Sequence, residues 1–91
     1  MTTGITVEII NKKGLHARAA AKFVKIVASF SADVKVTKAG GETVGGGSIL
    51  GLMMLGADPG SQLVISAEGE HAQAVVQALK ELVENRFGEP E

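Results

Sequence analysis

Between Asn11 and Ala21 the apolar residues change their spacing, and this change constrains the fold more than any other feature of the chain. Upstream, Ile5, Val7 and Ile9 alternate with Thr6 and Glu8, the period of two expected of a strand with one buried face. Asn11-Lys12-Lys13-Gly14 is polar, basic and closed by glycine, so it reads as a loop. Downstream, Ala20, Phe23, Val24 and Val27, flanked by Ile26 and Phe30, recur at the three- and four-residue spacing of a helix lying on a core. Ala17, Ala19, Ala20 and Ala21 favour that helix, which should run over residues 17–30. A strand thus hands over to a helix within a few residues. His16 stands at the junction, with Arg18 two positions on.

The remaining segments follow by the same reasoning. Val34 and Val36 alternate with Lys35 and Thr37 as a second strand, and Glu42-Thr43-Val44 forms a short third. Ala39-Gly40-Gly41 joins them tightly, making residues 34–44 a hairpin. Gly45-Gly46-Gly47 reads as a flexible approach to Ser48, which is placed to cap a short helix over residues 49–55 closed by Gly56. That helix is apolar nearly all round. Leu52 and Leu55 should be more buried than Leu50 and Met53, and the outer face should be exposed or covered by a partner. After the turn Asp58-Pro59-Gly60, Leu63, Ile65 and Ala67 alternate as a fourth strand, with Val64 a blemish on its outer face. A long helix is expected over residues 70–87, with Val75, Val76, Leu79, Leu82 and Val83 as its stripe and Glu70 and Arg86 at ends that suit its dipole. Gly88-Glu89-Pro90-Glu91 reads as a frayed tail. The order is β-α-β-β-α-β-α in one domain, residues 1–91. One-sided strands imply a two-layer α+β sandwich, its sheet antiparallel or mixed, with helices on one face.

Composition narrows the function classes. A net charge of −1 provides no bulk attraction to nucleic acid or to a membrane surface. Three phenylalanines are the only aromatic residues, too few for a base-stacking surface. The chain lacks cysteine, which removes disulfides and thiolate metal sites, and two histidines far apart make a poor metal centre. Neither a cofactor nor a metal is expected. Met1-Thr2-Thr3-Gly4 does not open a basic-then-apolar signal segment, and no apolar run is long enough to span a bilayer, so a cytoplasmic protein is expected.

His16 has a chemistry of its own at this junction. Unperturbed imidazole titrates at about pH 6.5 and, when neutral, offers a lone pair on one ring nitrogen. The positive end of a helix should keep the ring unprotonated, while the free N–H groups there welcome a phosphoryl group placed on it. Ala17 is small enough to let an anion reach those amides, and Arg18 can fork onto phosphate oxygens. The simpler alternative is a loop histidine that only caps a helix. No carboxylate lies nearby in sequence to orient the ring, so a hydrolytic triad is unsupported.

The run Gly14-Leu15-His16-Ala17-Arg18-Ala19-Ala20 resembles the phosphorylation site of HPr, the histidine-containing phosphocarrier family of the bacterial phosphoenolpyruvate-dependent phosphotransferase system. A second run, Gly47-Ser48-Ile49-Leu50-Gly51-Leu52-Met53-Met54-Leu55-Gly56, resembles the family's short second helix and its regulatory serine. The element order and length agree, so the resemblance spans essentially the whole chain. It implies an open-faced sandwich with four antiparallel strands and three helices. It further implies that His16 accepts a phosphoryl group on Nδ1 from phosphorylated Enzyme I and passes it to an EIIA-type domain, assisted by Arg18. By the same resemblance, Ser48 is the residue an ATP-dependent HPr kinase/phosphorylase modifies in some bacteria. Such a protein is a stoichiometric carrier and not a turnover enzyme. Departures are present: Ala19 stands where many relatives have proline, Met54 where serine is frequent, and the Ala39-Gly40-Gly41 turn is one residue longer.

Docking residues can be suggested from position. Arg18, Lys22 and Lys25 form a basic stripe beside His16, suited to acidic partners, and Ala21 lies among them. Ile49, Leu50 and Met53 could supply an adaptable apolar centre, the alternative being core packing. His71, among Glu68 and Glu70, reads as a solvated surface residue. The glycine run lacks the Gly-Lys-Ser/Thr ending of a nucleotide loop, so flexibility explains it better. A monomer is expected. Two other functions stay open: a regulatory docking protein controlled at Ser48 that acts on enzymes or transcription regulators, and a small RNA- or ligand-binding domain.

Overall fold

Alternating apolar residues on neighbouring strands must fall into common rows if a sheet is to bury one face. In the computed structural model, which describes residues 2–91, they do. The elements are β1 (Thr2–Glu8), α1 (Ala17–Ala28), β2 (Asp33–Lys38), β3 (Thr43–Gly45), α2 (Ile49–Met54), β4 (Gln62–Glu68) and α3 (Ala72–Glu84). The sheet is antiparallel throughout, in the order β1-β4-β2-β3. Ile5 pairs with Ile65, Ile65 with Val36, and Val36 with Val44, so one apolar row crosses all four strands. Beside it, Ala67 stands between Thr3 and Val34, and Leu63 between Val7 and Lys38. Val64, on the opposite face of β4, is 40% exposed, as its break in the alternation implies.

The helices close the inner face. α1 buries Ala19, Ala20 and Phe23, and α3 buries Ala72, Val75, Val76, Leu79 and Val83. From α2, Leu52 is fully buried and Leu55 just beyond it nearly so, whereas Leu50 is 68% and Met53 42% exposed, the division expected from the sequence. Ser48 caps α2 as expected, its Oγ accepting the Gly51 N–H at 3.0 Å. Gly56, at φ +63, donates its N–H to the Met53 carbonyl and ends the turn.

Three expectations need correction. Gly46 is not there for flexibility. It is buried, its N–H bonds the Val34 carbonyl at 2.7 Å, and a Cβ would lie 2.6 Å from the Val34 side chain. Close backbone approach to β2 demands glycine, while Gly45 and Gly47 face open space. The last helix is also shorter than its pattern, Ala72–Glu84, so Glu70 and Arg86 lie just beyond its caps and not in its first and last turns. Phe87 continues the stripe four residues after Val83, but it reaches the core by another route. Arg86 and Phe87 both take φ +54 in a single 3-10 turn, Arg86–Gly88, which drives Phe87 into full burial. That reversal sends the chain back toward α1, and the tail is not frayed. The Lys22 Nζ donates to the Phe87 carbonyl at 2.6 Å, and the Lys12 N–H donates to the Glu91 carbonyl at 3.0 Å.

Candidate functional site

The loop from β1 to α1 is anchored on both sides of His16. Asn11 is fully buried, and its Nδ2 donates to the Gly14 carbonyl at 2.8 Å. Gly14 takes φ +67, and a Cβ there would sit 2.6 Å from the Ala57 carbonyl oxygen, so both conformation and space require glycine. Leu15 is buried, and its N–H bonds the same Ala57 carbonyl at 3.0 Å. The next residue, His16, is therefore presented from a fixed backbone.

His16 occupies the N-cap of α1 with extended φ −80 and ψ 179. Its carbonyl accepts the Ala20 N–H at 2.8 Å, but its side chain makes no capping bond. The amides of Ala17, Arg18 and Ala19 precede the first intrahelical donor, which leaves the positive end of a twelve-residue helix without helical acceptors. Ala17 and Arg18 are exposed, and among the described residues Arg18 forms no ion pair. His16, Ala17 and Arg18 line one cleft of about 610 Å³ together with Lys12 and Lys13. The positions read from the sequence as reactive thus converge. Among the described residues, no group of three or more His, Cys, Asp or Glu side chains is placed to hold a metal ion.

Sequence reasoning missed the other wall of this cleft. The Glu89 carboxylate pairs with His16 Nε2, 73 positions away in the chain. Its second oxygen accepts from Asn11 Nδ2 at 3.0 Å. Among the described residues, Nδ1 of His16 forms no hydrogen bond. The ring is 27% and the carboxylate side chain 16% exposed, so both are sheltered but reachable. The His16 hydrogen bond, chiefly, holds the Glu89 carboxyl below its ordinary 4.5, aided by Asn11 and the charges of His16 and Lys13, with burial opposing. A depressed carboxyl contributes stability that is present above the unfolded pKa and lost as pH falls through the folded one. Acidification below about pH 4.5 should therefore loosen the tail, read as faster amide exchange at Glu89 and at Lys12, whose N–H bonds the Glu91 carbonyl, while the sheet stays protected. The sequence carried one usable signal for this contact: an apolar Phe87 ahead of Gly88, which ties the start of the tail to the core.

The docking residues divide. Ala21 and Lys25 are exposed on α1, but the Lys22 ammonium is engaged by the Phe87 carbonyl. Ile49, Leu50 and Met53 are exposed on α2, and so is Met54, which at 74% is the most exposed of them and was not singled out from the sequence. α2 packs against α1, although neither Ser48 nor these apolar residues line the His16 cleft. His71 is exposed just ahead of α3, as expected.

Comparison with known proteins converges on one family. Residues 4–85 match the family model described as the PTS HPr component phosphorylation site. The phosphocarrier protein HPr of Pseudomonas aeruginosa is 45% identical over 87 residues, covering 96% of this chain and 97% of that one. A crystal structure of HPr-C-His from Thermoanaerobacter tengcongensis superposes with a TM-score of 0.91 at 42% identity, covering 98% of this chain and 99% of the other. An HPr dimer from the same organism gives 0.76 at 44% identity, covering 93% and 97%.

Proposed function

The chain belongs to the HPr family of phosphotransferase-system phosphocarriers, and we propose that His16 is the residue through which it carries the phosphoryl group. The group arrives from phosphorylated Enzyme I, is held on Nδ1 and leaves to an EIIA-type domain. The observation that carries this reading is the placement of His16 at the N-terminus of α1, with free amides and Arg18 around it and no hydrogen bond on Nδ1. An incoming phosphoryl group meets the N–H groups of Ala17 and Arg18 and the Arg18 guanidinium, which offset its charge without covalent change elsewhere. The protein is then a stoichiometric relay, phosphorylated and dephosphorylated in turn.

The partner surface proposed for this relay comprises Ala21, Lys25, Ile49, Leu50 and Met53, with Met54 added, while Lys22 contributes only its exposed stem because its ammonium is held by the Phe87 carbonyl. Its support is the packing of α2 beside α1 and the exposure of four large apolar side chains on so short a helix. Cations around an apolar, methionine-rich centre suit several acidic partners in succession. We place the carrier in the cytoplasm as a monomer; among the described residues no helix is long and apolar enough to cross a membrane.

Incubation with phosphoenolpyruvate and Enzyme I tests this reading. One phosphate per chain should appear, labile in acid and stable in base. No incorporation, or an acid-stable phosphate under these conditions, would overturn it.

Regulation at Ser48 is a second layer of the same proposal, supported by its exposed position at the start of α2. A phosphate adds about 1.5 to 2 negative charges at a helix start, where they are tolerated, and would set them beside the apolar docking face. ATP with an HPr kinase/phosphorylase should give an acid-stable phosphate that Ser48→Ala abolishes. The same substitution removes the Gly51 cap and should cost about 1 kcal/mol in denaturant unfolding. Persistence of the phosphate in the variant would exclude Ser48 as its site.

A further inference from the structure

We propose that Glu89 is a positioning residue for His16: it holds the proton on Nε2, leaves the lone pair on Nδ1, and balances the charge the ring gains when Nδ1 bonds phosphorus. This deepens the carrier reading and rests on it. A carboxylate can only accept from Nε2, so the ring nitrogen facing Glu89 is the one that carries hydrogen. The other nitrogen, Nδ1, is then the nucleophile.

The bond changes give this contact a role in the transfer. The Nδ1 lone pair forms the bond to phosphorus as the donor's bond to phosphorus breaks and its electron pair leaves with the donor. The ring now bears phosphorus on Nδ1 and hydrogen on Nε2, and it carries a positive charge that the neutral ring lacked. Glu89 lies at Nε2, where it opposes that charge and keeps the proton in place. When an acceptor takes the phosphoryl group, the Nδ1–phosphorus pair returns to Nδ1 and the ring is ready again in the same tautomer. The logic is that of a carboxylate orienting a histidine in a nucleophilic triad.

Several features show that the carboxylate is held and not incidental. One oxygen is fixed by Asn11, which is itself buried and bonded to Gly14 of the loop that presents His16. The chain just ahead is pinned by buried Phe87 and by Lys22 on its carbonyl, and the chain just after by the Lys12 amide on Glu91. The other charged groups around the ring are Lys12 and Lys13 of the loop, Arg18 of α1 and Glu91 of the tail. Their cations outnumber Glu91, so Glu89 supplies the negative charge in contact with the ring.

The test uses the full chain as wild type, Glu89→Gln and Glu89→Ala. Nitrogen-15 spectra of the His16 ring report its tautomer, with exposed His71 as an internal control. Glu89→Ala should shift the His16 ring toward a mixture of tautomers and leave the His71 signals unmoved. Phosphoryl uptake from Enzyme I should slow by about 10-fold or more in both variants, as for other residues that orient a ligating or reacting histidine. Wild-type uptake together with an unchanged His16 tautomer in Glu89→Ala would overturn the proposal. Slowed uptake with an unchanged tautomer in Glu89→Ala would overturn it too, since loss of tail packing alone explains that result. If wild type itself takes up no phosphate, the carrier reading fails, while the ring spectra still decide whether Glu89 sets the tautomer.

Discussion

His16→Ala is expected to fold normally and to accept no phosphoryl group from Enzyme I. The side chain is partly exposed and makes no capping bond; among the described residues its one polar contact is with Glu89, so its removal loosens the tail but leaves the α1 start, the Leu15 anchor and the core intact. No substitute nitrogen nucleophile is available in the cleft, whose other nitrogen groups, Lys12, Lys13 and Arg18, are cations. His71 is not among the residues lining it. Uptake should therefore fall to background with circular dichroism and the unfolding midpoint close to wild type. Residual acid-labile phosphate on the variant would place the carrier residue elsewhere.

Phe23→Ala is expected to show the largest stability loss. Phe23 is wholly buried on α1, facing the sheet that α3 also covers. Deleting a fully buried aromatic ring leaves a cavity and costs about 3–5 kcal/mol. A domain of this size has only about 5–15 kcal/mol to lose. The denaturation midpoint should drop steeply, and at 37 °C a measurable fraction should be unfolded. A loss under about 1 kcal/mol would mean that the helix layer is not packed as described, because surface substitutions alone give effects that small. Such instability would also show at the site, since α1 presents His16 from its first turn.

Much of the fold was legible because its determinants are local. Ile5, Val36, Val44 and Ile65 announce their strands by alternation, and the sheet only aligns them in one row. Ser48 and Gly56 mark the ends of α2 by chemistry that acts within four residues. His16, Ala17 and Arg18 could be read as a site because helix-start electrostatics belong to neighbouring positions. Glu89 could not. Its approach to His16 depends on two non-glycine residues at positive φ, Arg86 and Phe87, and no periodicity signals them. Phe87 even extends the helical pattern past the point where the helix stops. Gly46 was misread for a related reason: a close approach to Val34 is a tertiary fact, and in sequence it looks the same as a flexible linker. Lys22 has the spacing of a free basic stripe, yet the returning tail claims its ammonium.

The central claim is that this chain carries phosphorus on a particular nitrogen, and the most direct measurement is a nitrogen–phosphorus correlation spectrum of the phosphorylated protein. The expected result is a single phosphorus coupled to Nδ1 of His16, with Nε2 still protonated beside Glu89. Phosphorus on Nε2, or on any residue other than His16, would contradict it.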